Sequence, residues 1–207
     1  MKKNLLWPVA ISALYCVTSF YTAQAEDKTL LQTPTLELRQ EAMAEFADGD
    51  ASDAKKSLYE AMELAREQKI PYVKANELRY IADAWSKIGV PLQASKAFAE
   101  SMEAAIATPT WNHRLYASIG VVEMQRATGD MDGTYRNGMK ALDSGLMEAV
   151  AETGEAAEMG RFFTAMNGLL TRTEREKLKQ RIKRIGNAQF QSKAIHALDA
   201  ISVKRGL

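Results

Sequence analysis

Apolar residues recur at helical spacing along most of the chain from residue 34 onward. The stretch 78–85 shows the pattern well, because Leu78, Ile81, Ala82 and Trp85 are spaced i, i+3, i+4, i+7 and so share one helix face. Alternation of apolar and polar residues at period two is absent, and Ala, Glu, Lys, Leu and Met dominate. The sequence therefore predicts an all-α protein.

Three glycines divide the predicted helices at a regular interval. Gly49, Gly89 and Gly129 lie 40 residues apart, and the sequence around the first and third nearly repeats, with GDASDA at 49–54 and GDMDGT at 129–134. Each glycine stands between two amphipathic segments, which is typical of the turn of a helical hairpin. Three hairpins at one period indicate a stack of helical repeats.

Prolines and capping residues predict where the helices begin and end. Starts are predicted at Thr33-Pro34, Asp50, Pro71, Pro91 and Trp111, and the sixth helix is expected to end near Gly145. Residues 148–170 are helical in composition. Thr173 and Glu176 predict a capping box, and Asn187 predicts the N-cap of a last helix that runs to about Val203.

The hairpins resemble those of the tetratricopeptide repeat family. In the middle repeat the residues at 78–85 occupy the packing places of helix A, Gly89 the turn, and Ala94 and Phe98 the small and aromatic places of helix B. The resemblance covers 34–145 and implies a right-handed solenoid of about three hairpins, with 146–207 as C-terminal helices that end in a basic cap. The period is 40 instead of the family's 34, so another helical-pair solenoid or a compact bundle stays an alternative.

Some residues depart from that family pattern. Glu41 and Glu45 occupy packing places in the first repeat, and Gln125 and Gly138 occupy places for large apolar residues in the third. A terminal repeat with one solvated face accounts for the first pair. We expect Gly138 to weaken its helix by about 1 kcal/mol relative to alanine.

The first 25 residues have the pattern of a secretory signal peptide. Lys2 and Lys3 precede a mostly apolar stretch, and Ala23-Gln24-Ala25 is a small-x-small cleavage site. We predict cleavage after Ala25, a flexible lead at 26–33 and a periplasmic location. An uncleaved anchor and attachment to the outer membrane are alternatives. The mature chain would contain no cysteine, which excludes a disulfide framework and thiol chemistry.

Charge is distributed unevenly along the predicted mature chain. Residues 26–160 contain 23 acidic and 14 basic side chains, whereas residues 161–207 contain 3 acidic and 11 basic ones. Such asymmetry indicates either a polar partner or an internal contact between the halves. The basic run 172–184 could touch an anionic envelope surface, or it could be the solvated face of a capping helix. Nucleic acid is not expected, because that run lacks aromatic residues for base stacking.

The sequence contains none of the residue patterns that indicate catalysis. His113 and His196 are the only histidines, and no H-x-x-x-H or C-x-x-C pair, glycine-rich phosphate loop or G-x-S-x-G elbow is present. Glu41 and Glu45 are spaced i, i+4, which can bind a metal but is more often a solvated helix face. We therefore predict a protein that is not an enzyme and that needs no cofactor or metal. The run Thr110–Arg114 is an alternative site for a small ligand or a cell-wall ligand, with hydrolase activity as part of that alternative.

The family resemblance implies a binding groove. Such repeats bind extended peptides on a concave face formed by the helix A residues that do not pack between helices. The corresponding positions in this chain are Leu36, Arg39, Met43, Phe46, Asn76, Arg79, Asp83, Lys87, Tyr116, Ile119, Glu123 and Arg126.

The chemical types at these positions suit a peptide. Arg39, Asn76, Arg79 and Lys87 are expected to hold a peptide carboxylate through charge-assisted hydrogen bonds, and Met43, Phe46 and Tyr116 to receive apolar side chains. The family's carboxylate clamp has asparagine where this chain has Met43. The predicted function is a periplasmic scaffold for a protein or peptide partner. Self-association through the third repeat is a further hypothesis.

Overall fold

The computed structural model describes residues 33–204, which form ten α-helices and no β-strand. The predicted signal peptide and most of the predicted lead lie outside the described residues. The prediction of an all-α protein is confirmed. The helices are α1 (Pro34–Ala47), α2 (Ala51–Glu67), α3 (Pro71–Lys87), α4 (Pro91–Ile106), α5 (Trp111–Ala127), α6 (Met131–Asp143), α7 (Leu146–Thr153), α8 (Ala156–Ala165), α9 (Arg172–Arg184) and α10 (Ala188–Ala200).

The three regularly spaced glycines form the predicted turns. Gly49, Gly89 and Gly129 have φ angles of 93°, 77° and 84°, in the left-handed region that favours glycine after a helix. The next helix is capped by aspartate in two of the three turns. The carboxylate of Asp50 accepts from the backbone N–H of Asp53 at 3.3 Å, and that of Asp130 accepts from the N–H of Gly133 at 2.9 Å. The repeated sequence therefore encodes a repeated turn.

The first six helices pack as consecutive antiparallel pairs. Helix α1 packs on α2, α3 on α4, and α5 on α6, while α3 also contacts α1 and α5 on either side. The apolar face predicted at 78–85 is confirmed as core, because each of its four residues is at most 1% exposed. At its centre the Trp85 indole N–H donates to Sδ of Met62 at 3.2 Å, and the ring of Tyr59 meets the indole edge to face.

The C-terminal part is helical, as its composition indicates, but one predicted cap differs. Residues 146–165 form two helices because Gly154 adopts a left-handed conformation, with φ of 75°, and ends α7. The capping box predicted at Thr173 and Glu176 is wrong. Thr171 is the N-cap instead, and it exchanges hydrogen bonds with Glu174 of 2.8 Å and 3.2 Å. The Glu174 carboxylate also accepts from the hydroxyl of Tyr135 on α6, which favours the earlier start.

The last helix begins where the sequence predicts. Asn187 is its N-cap and accepts from the N–H of Phe190 at 3.0 Å. The helix ends at Ala200, earlier than the predicted Val203. None of the helices described between residues 33 and 204 combines the length and apolar character needed to cross a bilayer.

Two apparent mismatches in the third hairpin have structural reasons. Gln125 is fully buried, donates to the Asp130 carboxylate at 2.7 Å and accepts from the Asn137 amide at 2.7 Å. A Cβ added at Gly138 would overlap Sδ of Met166, so the absence of a side chain lets that methionine pack against α6. At these two positions the family pattern predicts apolar contacts. Hydrogen bonds take their place at Gln125, and the close approach of Met166 takes their place at Gly138.

Part of the charge asymmetry is resolved by contacts within the chain. Arg161 forms a bidentate ion pair with Glu123, with distances of 3.0 and 2.6 Å. Arg181 does the same with Glu148, at 3.0 Å for both bonds. The charge asymmetry predicts either a polar partner or an internal contact between the acidic and basic parts, and these two arginines make such an internal contact.

Candidate functional site

Two adjoining cavities lie along the helices that begin each hairpin, α1, α3 and α5. The first has a volume of about 400 Å³ and lies between α1 and α3. The second, of about 520 Å³, lies between α3 and α5 and is completed by Arg161. Tyr72, Asn76 and Arg79 line both, so the two cavities form one groove. The predicted site residues that line this groove are Leu36, Arg39, Asn76, Arg79, Asp83, Tyr116 and Glu123.

Arg79 lies at the junction of the two cavities. Its guanidinium carbon is 4.8 Å from the centre of the Tyr80 ring, as is that of Arg39. A Cβ added at Gly120 would overlap Nη1 of Arg79, so the glycine in α5 provides the space for the guanidinium. Within residues 33–204 Arg79 forms no ion pair, and its buried Nε–H has no hydrogen-bond acceptor. Arg79 is therefore a cation held in position without an ion-pair partner among the described residues.

Asn76 lies one helical turn before Arg79 and faces the same two cavities. Its side-chain amide makes no hydrogen bond with any other group in the described part of the chain. An amide N–H₂ beside a guanidinium fork presents several donors to one point, and a carboxylate can accept from both groups. The junction is therefore suited to an anionic, oxygen-rich ligand.

The acidic residues that line the cavity between α3 and α5 are already paired. Asp83 forms an ion pair with Lys87 at 2.7 Å, and Glu123 forms one with Arg161. Lys87 lines neither cavity, since its ammonium turns toward the carboxylate four residues earlier on the same helix. Lys87 is expected from the sequence to hold a ligand carboxylate, but its ammonium instead forms an ion pair within α3. Tyr116 is 40% exposed and lines the second cavity.

Four predicted groove residues lie elsewhere. Met43 is half-buried against the core, Phe46 is exposed at the end of α1, and Arg126 is half-buried near the end of α5; none of them lines either cavity. The assignment of Ile119 to the groove surface is wrong, because Ile119 is fully buried. Helix α5 packs against α3 on one side and against α7 and α8 on another, so more of its surface is covered than the family pattern implies.

The structure adds residues that the sequence analysis missed. Tyr72 lines both cavities and stacks on His113, with ring centres 4.5 Å apart. Tyr80 supports the two arginines, and Gly120 makes room for one of them. A glycine in the middle of a predicted helix was the one signal available, because such a glycine usually has a packing reason.

At the alternative site, residues 110–114, most polar side chains already form contacts with neighbouring residues. The Arg114 guanidinium lies 4.6 Å from the Trp111 ring centre, and its Nε–H donates to the Thr108 carbonyl at 3.0 Å. Thr110 pairs with His113 at 2.9 Å. These contacts close the turn before α5. Among residues 33–204, no group of three or more His, Cys, Asp or Glu side chains is placed to hold a metal ion.

We expect Gly120→Ala to stabilise the protein less than Gly160→Ala does. Both changes gain helix propensity, worth about 1 kcal/mol. A Cβ at position 160 meets nothing within 4 Å, whereas one at 120 must displace the Arg79 guanidinium. Urea unfolding measures the difference. In an Arg79→Ala background the two substitutions should raise the free energy of unfolding equally. Equal increases in the wild-type background would contradict the close approach of Arg79 to Gly120.

Comparison of the chain with models of known protein families, with curated proteins and with solved structures finds no significant match. The assignment of a function therefore depends on the geometry of the groove.

Proposed function

We propose that this chain is an exported, non-enzymatic scaffold that binds the C-terminal carboxylate of a protein or peptide partner in the groove of α1, α3 and α5. Asn76 and Arg79 bind the carboxylate, and the aromatic rings of Tyr72 and Tyr116 contact the residues before it. The location is periplasmic in this proposal, after removal of residues 1–25.

One observation supports the proposal above all others. The two donors at the junction of the cavities, Asn76 and Arg79, have no acceptor in the described part of the chain, while the two carboxylates of the cavity between α3 and α5, Asp83 and Glu123, are paired. A partly buried guanidinium without a counter-charge costs stability unless a ligand supplies one. The cavity between α3 and α5 thus offers hydrogen-bond donors to an anion and, among the described residues, no unpaired carboxylate to a cation.

The order of helix contacts supports a tetratricopeptide-like solenoid as the scaffold. The main contacts of α1 to α6 join helices of the same hairpin or of adjacent hairpins. Stacking of this kind leaves the faces of successive first helices aligned on one side, where an extended peptide can lie across several repeats. Three hairpins would then present three rows of side chains to one ligand.

We expect Arg79→Met to weaken the binding of peptides with a free C-terminus by at least about ten-fold. A hydrogen bond to a charged group contributes about 1.5–3 kcal/mol, and methionine keeps the apolar stem of arginine without the donors. The probe is a pool of labelled pentapeptides of random sequence, synthesised once with a C-terminal carboxylate and once with a carboxamide. Fluorescence anisotropy measures both pools.

The matched control is Arg136→Met, which removes an exposed arginine from α6, far from either cavity lining. It should leave the affinity unchanged. Equal binding of the carboxylate and carboxamide pools by the wild-type protein would contradict the proposal, and so would full retention of affinity in Arg79→Met with native helicity.

The basic helix α9 stays a second proposal. Its cations Arg172, Arg175, Lys177, Lys183 and Arg184 form no ion pair within residues 33–204, in contrast to Lys179 and Arg181 on the same helix. Arg175 donates to the Ile201 carbonyl at 3.4 Å, and the other four favour contact with an anionic envelope surface.

A further inference from the structure

The cavity between α1 and α3 contains a buried acid for which the proposed function has no use. Glu77 is 9% exposed, and both of its carboxylate oxygens are buried without a hydrogen-bond partner among the described residues. It lines the first cavity together with Asn76 and Arg79. A charge buried in this way is rare in proteins unless it is paired.

The neighbours of Glu77 leave it unpaired. The hydroxyls of Thr33 and Thr35 hydrogen-bond to each other at 2.7 Å, and the Arg39 guanidinium stacks on Tyr80 and makes no ion pair with Glu77. Burial raises the pKa of Glu77, and the nearby hydroxyls of Thr35 and Thr33 and the charge of Arg39 lower it in part. The Thr33 oxygen also accepts from the backbone N–H of Leu36 at 3.3 Å, so it keeps one lone pair when its own proton is donated to Thr35. The cavity thus contains one carboxylate and two hydroxyl oxygens with acceptor capacity left for a ligand.

An alkylammonium group matches these acceptors. It presents three N–H donors on a compact charge, one for the carboxylate and one for each threonine hydroxyl. The apolar side chains of Leu36 and Val73 line the same cavity, where a methylene stem can lie. The volume of about 400 Å³ lies within the usual range for small-ligand sites.

We propose that the groove selects partners whose last residue is lysine, with the lysine ammonium bound by Glu77, Thr33 and Thr35 and its α-carboxylate bound by Asn76 and Arg79. The two binding groups are neighbours on α3, since Asn76 and Glu77 are consecutive and Arg79 is two residues further along. This inference rests on the proposed binding of a C-terminal carboxylate and adds the identity of the residue that bears it.

The experiment uses four peptides that differ only at the last residue. The residue is lysine or norleucine, which has the same stem without the ammonium, and the terminus is a carboxylate or a carboxamide. We expect the lysine carboxylate peptide to bind tightest to the full chain. Loss of the ammonium should weaken binding by about ten-fold or more, as expected for hydrogen bonds to a charged group.

Variants separate this inference from the proposed function. In Glu77→Gln the preference for lysine over norleucine should disappear while the preference for carboxylate over carboxamide remains. In Arg79→Met the preference for carboxylate over carboxamide should disappear while the preference for lysine over norleucine remains. Equal affinity of lysine and norleucine peptides for the wild type overturns the inference alone. Equal affinity of carboxylate and carboxamide peptides overturns the proposed function and, with it, the placement of the lysine at the chain terminus; a remaining preference for lysine over norleucine would then keep only the ammonium site at Glu77.

A competition measurement identifies the source of the ammonium. Cadaverine, an amine without a carboxylate, should compete only weakly, and competition as strong as that of the lysine peptide would overturn the assignment to a peptide terminus.

Discussion

Replacement of Trp85 by alanine is expected to lower the free energy of unfolding by about 3–5 kcal/mol, the usual cost of deleting a large aromatic side chain from a packed core. Trp85 is fully buried between α2 and α3, where it contacts Met62 and Tyr59. Its removal leaves a cavity at the joint between the first two hairpins. Urea unfolding followed by circular dichroism measures the loss.

The chain provides a matched control for that experiment. Trp111 is 38% exposed at the start of α5, so Trp111→Ala should cost less than about 1 kcal/mol. If Trp85→Ala does not fold at all, the milder Trp85→Phe keeps part of the packing and should show an intermediate loss. A loss for Trp85→Ala no larger than that for Trp111→Ala would contradict the described core.

Replacement of Glu77 by methionine is expected to raise the free energy of unfolding at neutral pH by about 1–3 kcal/mol, the usual cost of a buried polar group left without a hydrogen-bond partner. The carboxylate of Glu77 is desolvated and has no hydrogen-bond partner within residues 33–204, so its ionised form opposes folding. A residue that costs stability in this way is typical of a binding site. Glu60→Met, an exposed position on α2, is the control and should change stability by less than about 0.5 kcal/mol.

The gain from Glu77→Met should depend on pH in a defined direction. Burial raises the pKa of Glu77 in the folded protein, although the hydroxyls of Thr35 and Thr33 and the charge of Arg39 on α1 offset part of the effect. The folded state therefore holds the proton more tightly than the unfolded state, and the Glu77 contribution to stability falls as pH rises through the window between the two pKa values. The lower edge of that window is the ordinary glutamate pKa of about 4.3.

Urea unfolding at pH 4 and pH 7 tests this dependence. The difference in stability between Glu77→Met and the wild type should be larger at pH 7 than at pH 4. A difference that is constant with pH would show that Glu77 has the same pKa in the folded and unfolded chains, and a difference that shrinks toward pH 7 would show a carboxylate that is paired and stabilised.

The ion pair between Lys87 and Asp83 could have been predicted from a local rule of helix geometry. Lys87 and Asp83 are four residues apart on one helix, a spacing at which opposite charges pair. The choice between Thr171 and Thr173 as the cap of α9 was not predictable in this way, because both begin a T-x-x-E pattern. A contact from Tyr135, 39 residues away in sequence, favours one of them.

The sequence by itself determined the helices, their turns and the apolar faces that pack. These features depend on interactions between residues close in the chain: a glycine with positive φ after each first helix, an aspartate that caps the next, and apolar residues at 3.6-residue spacing. The tertiary structure decided which polar groups keep a partner. Within residues 33–204 Arg79 and Glu77 have no partner while Glu123 and Gln125 do, because such pairing depends on distances between elements that helical periodicity does not specify.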